Sequence, residues 1–440
     1  MNRRKFIKVS ACFASSLGFR LGTLPLLAEE VPGYRALVVI NLEGGNDGNS
    51  ILLPLTTQEY GYYASARGAA AVPQSSLLPL PIGNGSFGIH PSLAPLSPLF
   101  SAGKLAFVSN VGNLTVPIDR AGYLSNRVAY PPMYNGHDGG QEMFQTANIM
   151  NGETSFGWGG LVADTFGSSS GVSPVISLGG DSIFATGSNV DPLTFQSPQV
   201  PSLLGFNNSS ASAARLAALN AIIATPTGSV LEDAVNAVVV NANAQSQTLS
   251  DALKGATPLT TQFPTSQLGQ QLKMVASIMQ TRSTLGASRQ IFYCTTGGFD
   301  LHSGILKAET NLLADLAQCL VTFQQALTEI GANQDVFTLT ISEFSRTLQL
   351  NDNAGADHGW GSHHIVMGDP INGGKLYGTY PSLELGGPND AGSIGVWIPT
   401  TSVSQYVSPA AKWLGVSGSN MNQVFPLLSN FPDGPIPYLA

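Results

Sequence analysis

Aspartate and histidine recur side by side in this sequence, at spacings that suit metal chemistry. Gly298-Phe299-Asp300-Leu301-His302 sets the two types two residues apart, and Ala356-Asp357-His358 sets them adjacent. His363-His364 follow closely, and Asn135-Gly136-His137-Asp138 carries a further pair. Of the six histidines in the chain, four fall between 302 and 364. Carboxylate oxygens neutralise positive charge and imidazole nitrogens give directional bonds, which is the donor mixture that zinc and other divalent transition metals take. One or two such ions can polarise an ester and activate a nucleophile. A single Asp-His pair is more often a hydrogen-bonded loop than a metal site. It is the repetition of pairs that points to a metal.

The elements that must position these residues are legible from hydrophobic pattern. Residues 35–42 (RALVVINL) and 104–109 read as buried strands, the first running into the Gly-rich loop Glu43-Gly44-Gly45-Asn46-Asp47-Gly48. From 211 to 254 the pattern is helical, broken at Thr225-Pro226-Thr227-Gly228, with Leu231, Ala234, Val235, Val238 and Val239 on one apolar face. Residues 265–285 predict another helix, 290–295 a strand, 305–330 a long amphipathic helix stopped by Gly331, and 336–341 a strand. Near-continuous apolar strands separated by helices predict a layered α/β fold with a largely parallel sheet. In such sheets sites form at the carboxyl ends of strands, and here each motif follows a strand. The segment at about 160–285 interrupts the motif-bearing strands, and we read it as a mostly helical cap or insertion. No linker or repeat divides residues 29–440, which read as one domain.

Taken together, the loop Gly44-Gly45-Asn46-Asp47-Gly48, Ile89-His90-Pro91, Gly298 to His302, Ser342-Glu343-Phe344-Ser345-Arg346, Asp357-His358-Gly359 and Gly373-Gly374-Lys375-Leu376-Tyr377-Gly378 resemble the bacterial family called domain of unknown function 1501. That family looks like a distant branch of the alkaline phosphatase superfamily, which includes sulfatases. The resemblance implies a three-layer α/β/α sandwich holding one or two divalent metal ions (zinc, manganese or calcium). It implies Asp47, Asp300, His302, Asp357, His358 and His363 as metal ligands, with His364 as the alternative to His363. It also implies a nucleophilic hydroxyl, yet Gly136 stands where a serine is expected before His137. Ser125, Thr115 and Thr146 are nearby hydroxyls without a supporting motif, so the catalytic nucleophile stays unassigned.

Other residues carry paired readings. Arg346 reads either as a bidentate holder of a phosphate or sulfate oxygen or as a surface side chain. Glu343 reads as a partner orienting a ligand histidine or as an ion pair with Arg346. His137-Asp138 reads as extra metal ligands or as a capping loop. His90 reads as structural, and Trp158 and Trp360 as core residues before cleft-lining ones.

The N-terminus opens Met1-Asn2-Arg3-Arg4-Lys5-Phe6-Ile7-Lys8, continues through a short apolar stretch and reaches Ala28 before Glu29-Glu30. This resembles a twin-arginine signal peptide spanning 1–28, with the twin-arginine translocase as partner and a periplasmic or secreted destination. Its apolar stretch is short for a membrane span and Arg20 interrupts it. The five basic residues of this segment removed, 14 basic residues face 27 acidic ones, a net charge of −13. Such a chain is unsuited to nucleic acid, and it holds no later run long and apolar enough to be an integral membrane segment. Cys294 and Cys319 remain after cleavage, as a disulfide or as two buried thiols. Two functions follow. One is an exported metal-dependent hydrolase acting on phosphate or sulfate esters of a small molecule or polymer. The other is an exported non-catalytic binding or surface-assembly protein that retains the fold.

Overall fold

The computed structural model describes residues 33–439 apart from 84, 129, 132–133, 149–155, 167–170, 197 and 202–208. The expected signal at 1–28 and its cleavage point therefore lie outside the described residues. At the centre is a nine-stranded sheet. Its strands are β1 (Arg35–Leu42), β2 (Leu105–Gly112), β3 (Val175–Ser177), β4 (Leu193–Thr194), β5 (Arg289–Thr296), β6 (Val336–Ile341), β7 (Ser362–Met367), β8 (Leu376–Tyr377) and β9 (Thr401–Ser402). They lie in the order β8-β2-β7-β6-β1-β5-β3-β4, with β9 beside β2. β1 pairs in parallel with both β5 and β6. Only β7 runs against its neighbours β2 and β6. The sheet is thus largely parallel, and β1 and β6 are buried at nearly every position because both faces are covered.

Alternation along β1 shows the layers. Ala36, Val38, Ile40 and Leu42 enter one core, while Leu37 and Val39 enter another. The first core is closed by α4 (Gln267–Gln280) and α5 (Ile305–Glu329), which contribute Leu272, Val275, Leu316, Leu320 and Phe323. The second is closed by α6 (Val403–Leu414), with Tyr406 and Val407, and by α1 (His137–Thr146), with Phe144. Each fully buried side chain of this size contributes roughly 1.5–3 kcal/mol on leaving water. The result is a three-layer α/β/α arrangement.

The 160–285 segment is not a cap throughout. β3 and β4 extend the sheet beyond β5, and α4 belongs to a covering layer. Among the described helices of the segment, α2 (Ser210–Ile223) and the first part of α3 (Val230–Lys254) stand away from the two cores: the buried residues of α3 are Gln245, Leu249 and Ala252, all toward its C-terminal end. Cys294 and Cys319 are free and buried, and burial pushes the Cys319 thiol up to about 12. No helix among the described residues is long and apolar enough to cross a membrane.

Candidate metal centre

Loops leaving the carboxyl ends of β1, β5 and β6, and the loop entering α1, converge at one edge of the sheet. The β1 loop approaches so closely that it needs glycine. Gly44 has φ +113°, and a Cβ there would stand 2.4 Å from the Asp300 backbone nitrogen. Across this contact the β5 loop presents Asp300 and His302, the segment after β6 presents Glu343, Arg346, Asp357 and His358, and α1 presents His137 as its first residue.

Asp300 sits at the middle. One ligand atom each from His137, Asp300 and His358 all lie within 4.8 Å of one another. His137 Nε2 is 3.5 Å from Asp300 Oδ2, and His358 Nε2 is 3.6 Å from Asp300 Oδ1. His302 Nε2 lies 3.0 Å from Asp300 Oδ1 and 3.1 Å from His358 Nε2. The other ring nitrogens are anchored outward. His137 Nδ1 is 3.1 Å from Glu343 Oε1, His302 Nδ1 is 3.1 Å from Asp357 Oδ1, and His358 Nδ1 is 2.8 Å from the Asn135 carbonyl oxygen.

Those anchors decide the tautomers. A carboxylate and a carbonyl only accept hydrogen bonds, so each Nδ1 carries its ring's proton. A ring holding its single proton at Nδ1 turns the Nε2 lone pair toward Asp300. Three such nitrogens stand 3.0, 3.5 and 3.6 Å from the Asp300 carboxylate, a cluster of donor atoms that a cation would bridge. Metal-ligating histidines have this same arrangement, the second nitrogen donating to a carboxylate or a backbone carbonyl. The donor set present thus fits a divalent ion, held by His137, Asp300 and His358 with His302 alongside.

The electrostatics agree. Burial lowers the His358 pKa, the bond to Asn135 opposes this, and the nearby Arg346, His137 and His302 lower it further, so the ring is neutral. Asp300 is raised by partial burial, but the hydrogen bond and charge of Arg346, with His302 and His137, bring its net value down. Asp357 is lowered by the Asn351 hydrogen bond first, against a small opposing burial, and then by His302. Burial and the neighbouring Glu343 push the Glu43 carboxyl up, as expected where acidic groups crowd.

Three expected roles fall elsewhere. Asp47 joins a different, fully buried cluster. Its carboxylate receives Arg67 on both oxygens, Nη1 at 2.7 Å and Nη2 at 2.8 Å, together with Ser50 Oγ at 2.6 Å and Asn49 Nδ2 at 3.1 Å. A guanidinium occupies the place a metal would need. Beside it Glu309 is buried with neither carboxylate oxygen hydrogen-bonded, and Arg67 Nε is also unpartnered; burial first, and Asp47 second, hold Glu309 well above the usual carboxylate range. His363 and His364 do point to opposite faces of β7, yet neither joins Asp300. His363 Nδ1 accepts from the Asn110 amide at 3.0 Å, which puts the ring proton on Nε2, and the ring stacks on Tyr380. His364 lies between Tyr406 and Phe144.

Arg346 is neither a surface side chain nor a free anion holder: it is fully buried, and its fork is already occupied. Nε donates to the Gly45 carbonyl at 2.9 Å, Nη1 to Ala356 at 3.1 Å, and Nη2 to the Gly44 carbonyl and to Asp300 Oδ1 at 2.6 Å. It fastens three loops and orients Asp300 rather than offering a free fork to an anion. Glu343 is buried and orients His137; its Oε1 also accepts the Gly44 amide at 2.8 Å. His90 Nδ1 accepts the Ser92 amide at a helix start, a structural role. Trp158 and Trp360 are buried. Gly136 is extended (φ −109°, ψ 140°) and caps α1 without a side chain.

A three-layer α/β/α protein with a histidine–aspartate centre at the carboxyl edge of its sheet is the class that fold and site define. The chain belongs to the family described as protein of unknown function (DUF1501), whose profile matches residues 34–390. No curated protein matches it. Among solved structures it is similar to a lipoteichoic acid synthase, LtaP, from Listeria monocytogenes (9% identity, 92% of this chain and 81% of that one, TM-score 0.34). It is similar also to an alkaline phosphatase superfamily protein from Vibrio parahaemolyticus (10% identity, 88% and 73%, TM-score 0.34). A third is the PsFucS1 sulfatase from Pseudoalteromonas sp. (9% identity, 84% and 68%, TM-score 0.32).

Proposed function

We propose that the protein is an exported metal-dependent hydrolase of phosphate or sulfate esters, with its ion at His137, Asp300 and His358. The observation that carries this is the set of Nε2 atoms gathered on Asp300, each ring's Nδ1 facing an acceptor. A histidine-rich set with one carboxylate favours zinc or manganese over calcium, which takes six to eight oxygens. When bound, such an ion supplies Lewis acidity to an ester oxygen and lowers the pKa of water. The chain's own part is to hold that position. Arg346 and Glu343 fix Asp300 and His137, and Phe344 stacks on His358 at 4.4 Å between ring centres. Three protein ligands leave room for a substrate oxygen. Gly136 supplies no nucleophile, which favours direct attack by water over a covalent intermediate. The same Gly136 is the observation that favours the second reading, binding without turnover.

Metal content of protein purified without chelator tests the centre. Stoichiometric metal is expected in the wild type, with loss in Asp300→Ala. A wild type without metal after reconstitution with zinc, manganese and calcium sinks the reading. Turnover of aryl phosphates and sulfates then separates hydrolase from binding protein. Export by the twin-arginine route is proposed from Arg3-Arg4-Lys5-Phe6. Changing both arginines to lysine should leave the precursor in the cytoplasm, and unimpaired export of that variant would overturn it.

A further inference from the structure

The segment 210–244, formed by α2 and the first part of α3, carries three charged residues, Arg215, Glu232 and Asp233. Five of the eight exposed large apolar side chains among the described residues are on this arm: Ile222 (71% exposed), Val230 (82%), Leu231 (58%), Val235 (44%) and Val239 (39%). α2 buries Ser212 alone. Apolar surface gathered on one projecting element marks an interaction site rather than ordinary surface.

We propose that this arm is a self-association surface, covered by the same arm of a second copy of the chain. Leu231, Val235 and Val239 are spaced i, i+4, i+8, so they form one stripe about 12 Å long at 1.5 Å per residue. The stripe is symmetric about Val235. An antiparallel crossing of two α3 helices sets Val235 against its own copy and Leu231 of one copy against Val239 of the other. That is the self-complementarity a two-fold interface requires. Charge selects the direction. Glu232 and Asp233 flank one end of the stripe and uncharged Ala242, Asn243 and Ala244 the other. Antiparallel pairing about Val235 offsets Glu232 by about 9 Å and Asp233 by about 6 Å along the axis from their own copies and opposes the helix dipoles favourably, whereas parallel in-register pairing sets acid beside acid. An anionic membrane is a poor alternative for an arm with a single basic residue on a net acidic chain.

The two helices of the arm side by side, each about 20 Å long and 10 Å wide, present on the order of 400 Å² per copy. That is about half of a standard interface. The dimer should therefore be concentration-dependent, dissociating at micromolar concentrations or above. Sedimentation velocity of the mature protein over a hundredfold range into the high micromolar is the test. The weight-average mass should climb toward twice the monomer. Leu231→Glu/Val235→Glu should stay at the monomer mass throughout, with circular dichroism and metal content unchanged, because both positions are exposed. A wild type that is monomeric at every concentration overturns the proposal. So does a double variant that dimerises like the wild type, or a monomer that binds phosphatidylcholine vesicles through the arm. None of these outcomes depends on the hydrolase reading.

Discussion

A buried carboxylate with one oxygen committed and one free is an unusual holding for a fold to keep. Glu343 has this state: Oε1 faces His137 Nδ1, the Gly44 amide and Gln141 Nε2, while Oε2 has no partner. Left alone, such a charge is costly. A cation on the far side of the His137 ring would offset that cost, because the ring would pass the attraction through its Nδ1–H. Glu343→Gln keeps the side chain's shape and an acceptor for that proton, but removes the charge that makes the imidazole a stronger donor. Metal affinity should fall by about 10–100-fold with the fold intact. Competition with a chromophoric chelator measures it, and an unchanged affinity would show that Glu343 only fills space. Arg346 and Asp300 form the complementary pair on the other side of the centre, and because the guanidinium also reaches the carbonyls of Gly44, Gly45 and Ala356 through separate nitrogens, lysine is a poor substitute.

At the level of elements, much of the fold was legible. The 35–42 and 336–341 strands, the helix ending before Gly331 and the break at 225–228 all follow from apolar period and glycine or proline stops, and the structure places them where the pattern does. The single helix expected at 265–285 is α4 followed by a separate turn, Arg282–Leu285, a boundary that local pattern does not carry. β3 and β4 were not legible at all. Two or three residues pairing at a sheet edge leave no period to detect. The site was half legible for a related reason. Asp300, His302, Asp357 and His358 stand out by composition and lie together. Asp47 has the right place after β1, but its partner Arg67 is 20 residues away and nothing local announces that ion pair. His137 comes from a loop far from the others in sequence, and only the approach of α1 to Glu343, where Gly140 leaves no room for a Cβ, brings it in.

The whole molecule keeps two histidines neutral in its interior, and that sets how it responds to acid. Burial pulls His363 and His364 down to about 3 from an ordinary 6.5. For His363 the charge of Asp47 opposes the shift, and for His364 the neighbouring His363 adds to it. The unfolded chain takes up a proton at each as pH falls below about 6.5, and the folded chain does not until about 3. Stability from this source is therefore complete above the unfolded value and is lost progressively as pH falls between the two. Each proton taken up only by the unfolded chain costs about 1.4 kcal/mol per pH unit. His364 can be removed from the balance without emptying its place. Its Nε2 has no partner, its Nδ1 makes only a 3.4 Å contact to Thr340 Oγ1, and its ring stacks on Tyr406. His364→Phe keeps the ring, at an overpacking cost of about 1 kcal/mol. Urea unfolding of wild type and variant at a series of pH values from 6 to 4.5 should give curves whose slopes against pH differ by about 1.4 kcal/mol per unit, the variant being the flatter. Carboxylates that titrate in this window affect both proteins alike and cancel in the difference. Parallel slopes would mean that His364 takes up its proton inside the folded protein, with the strand around it open to water.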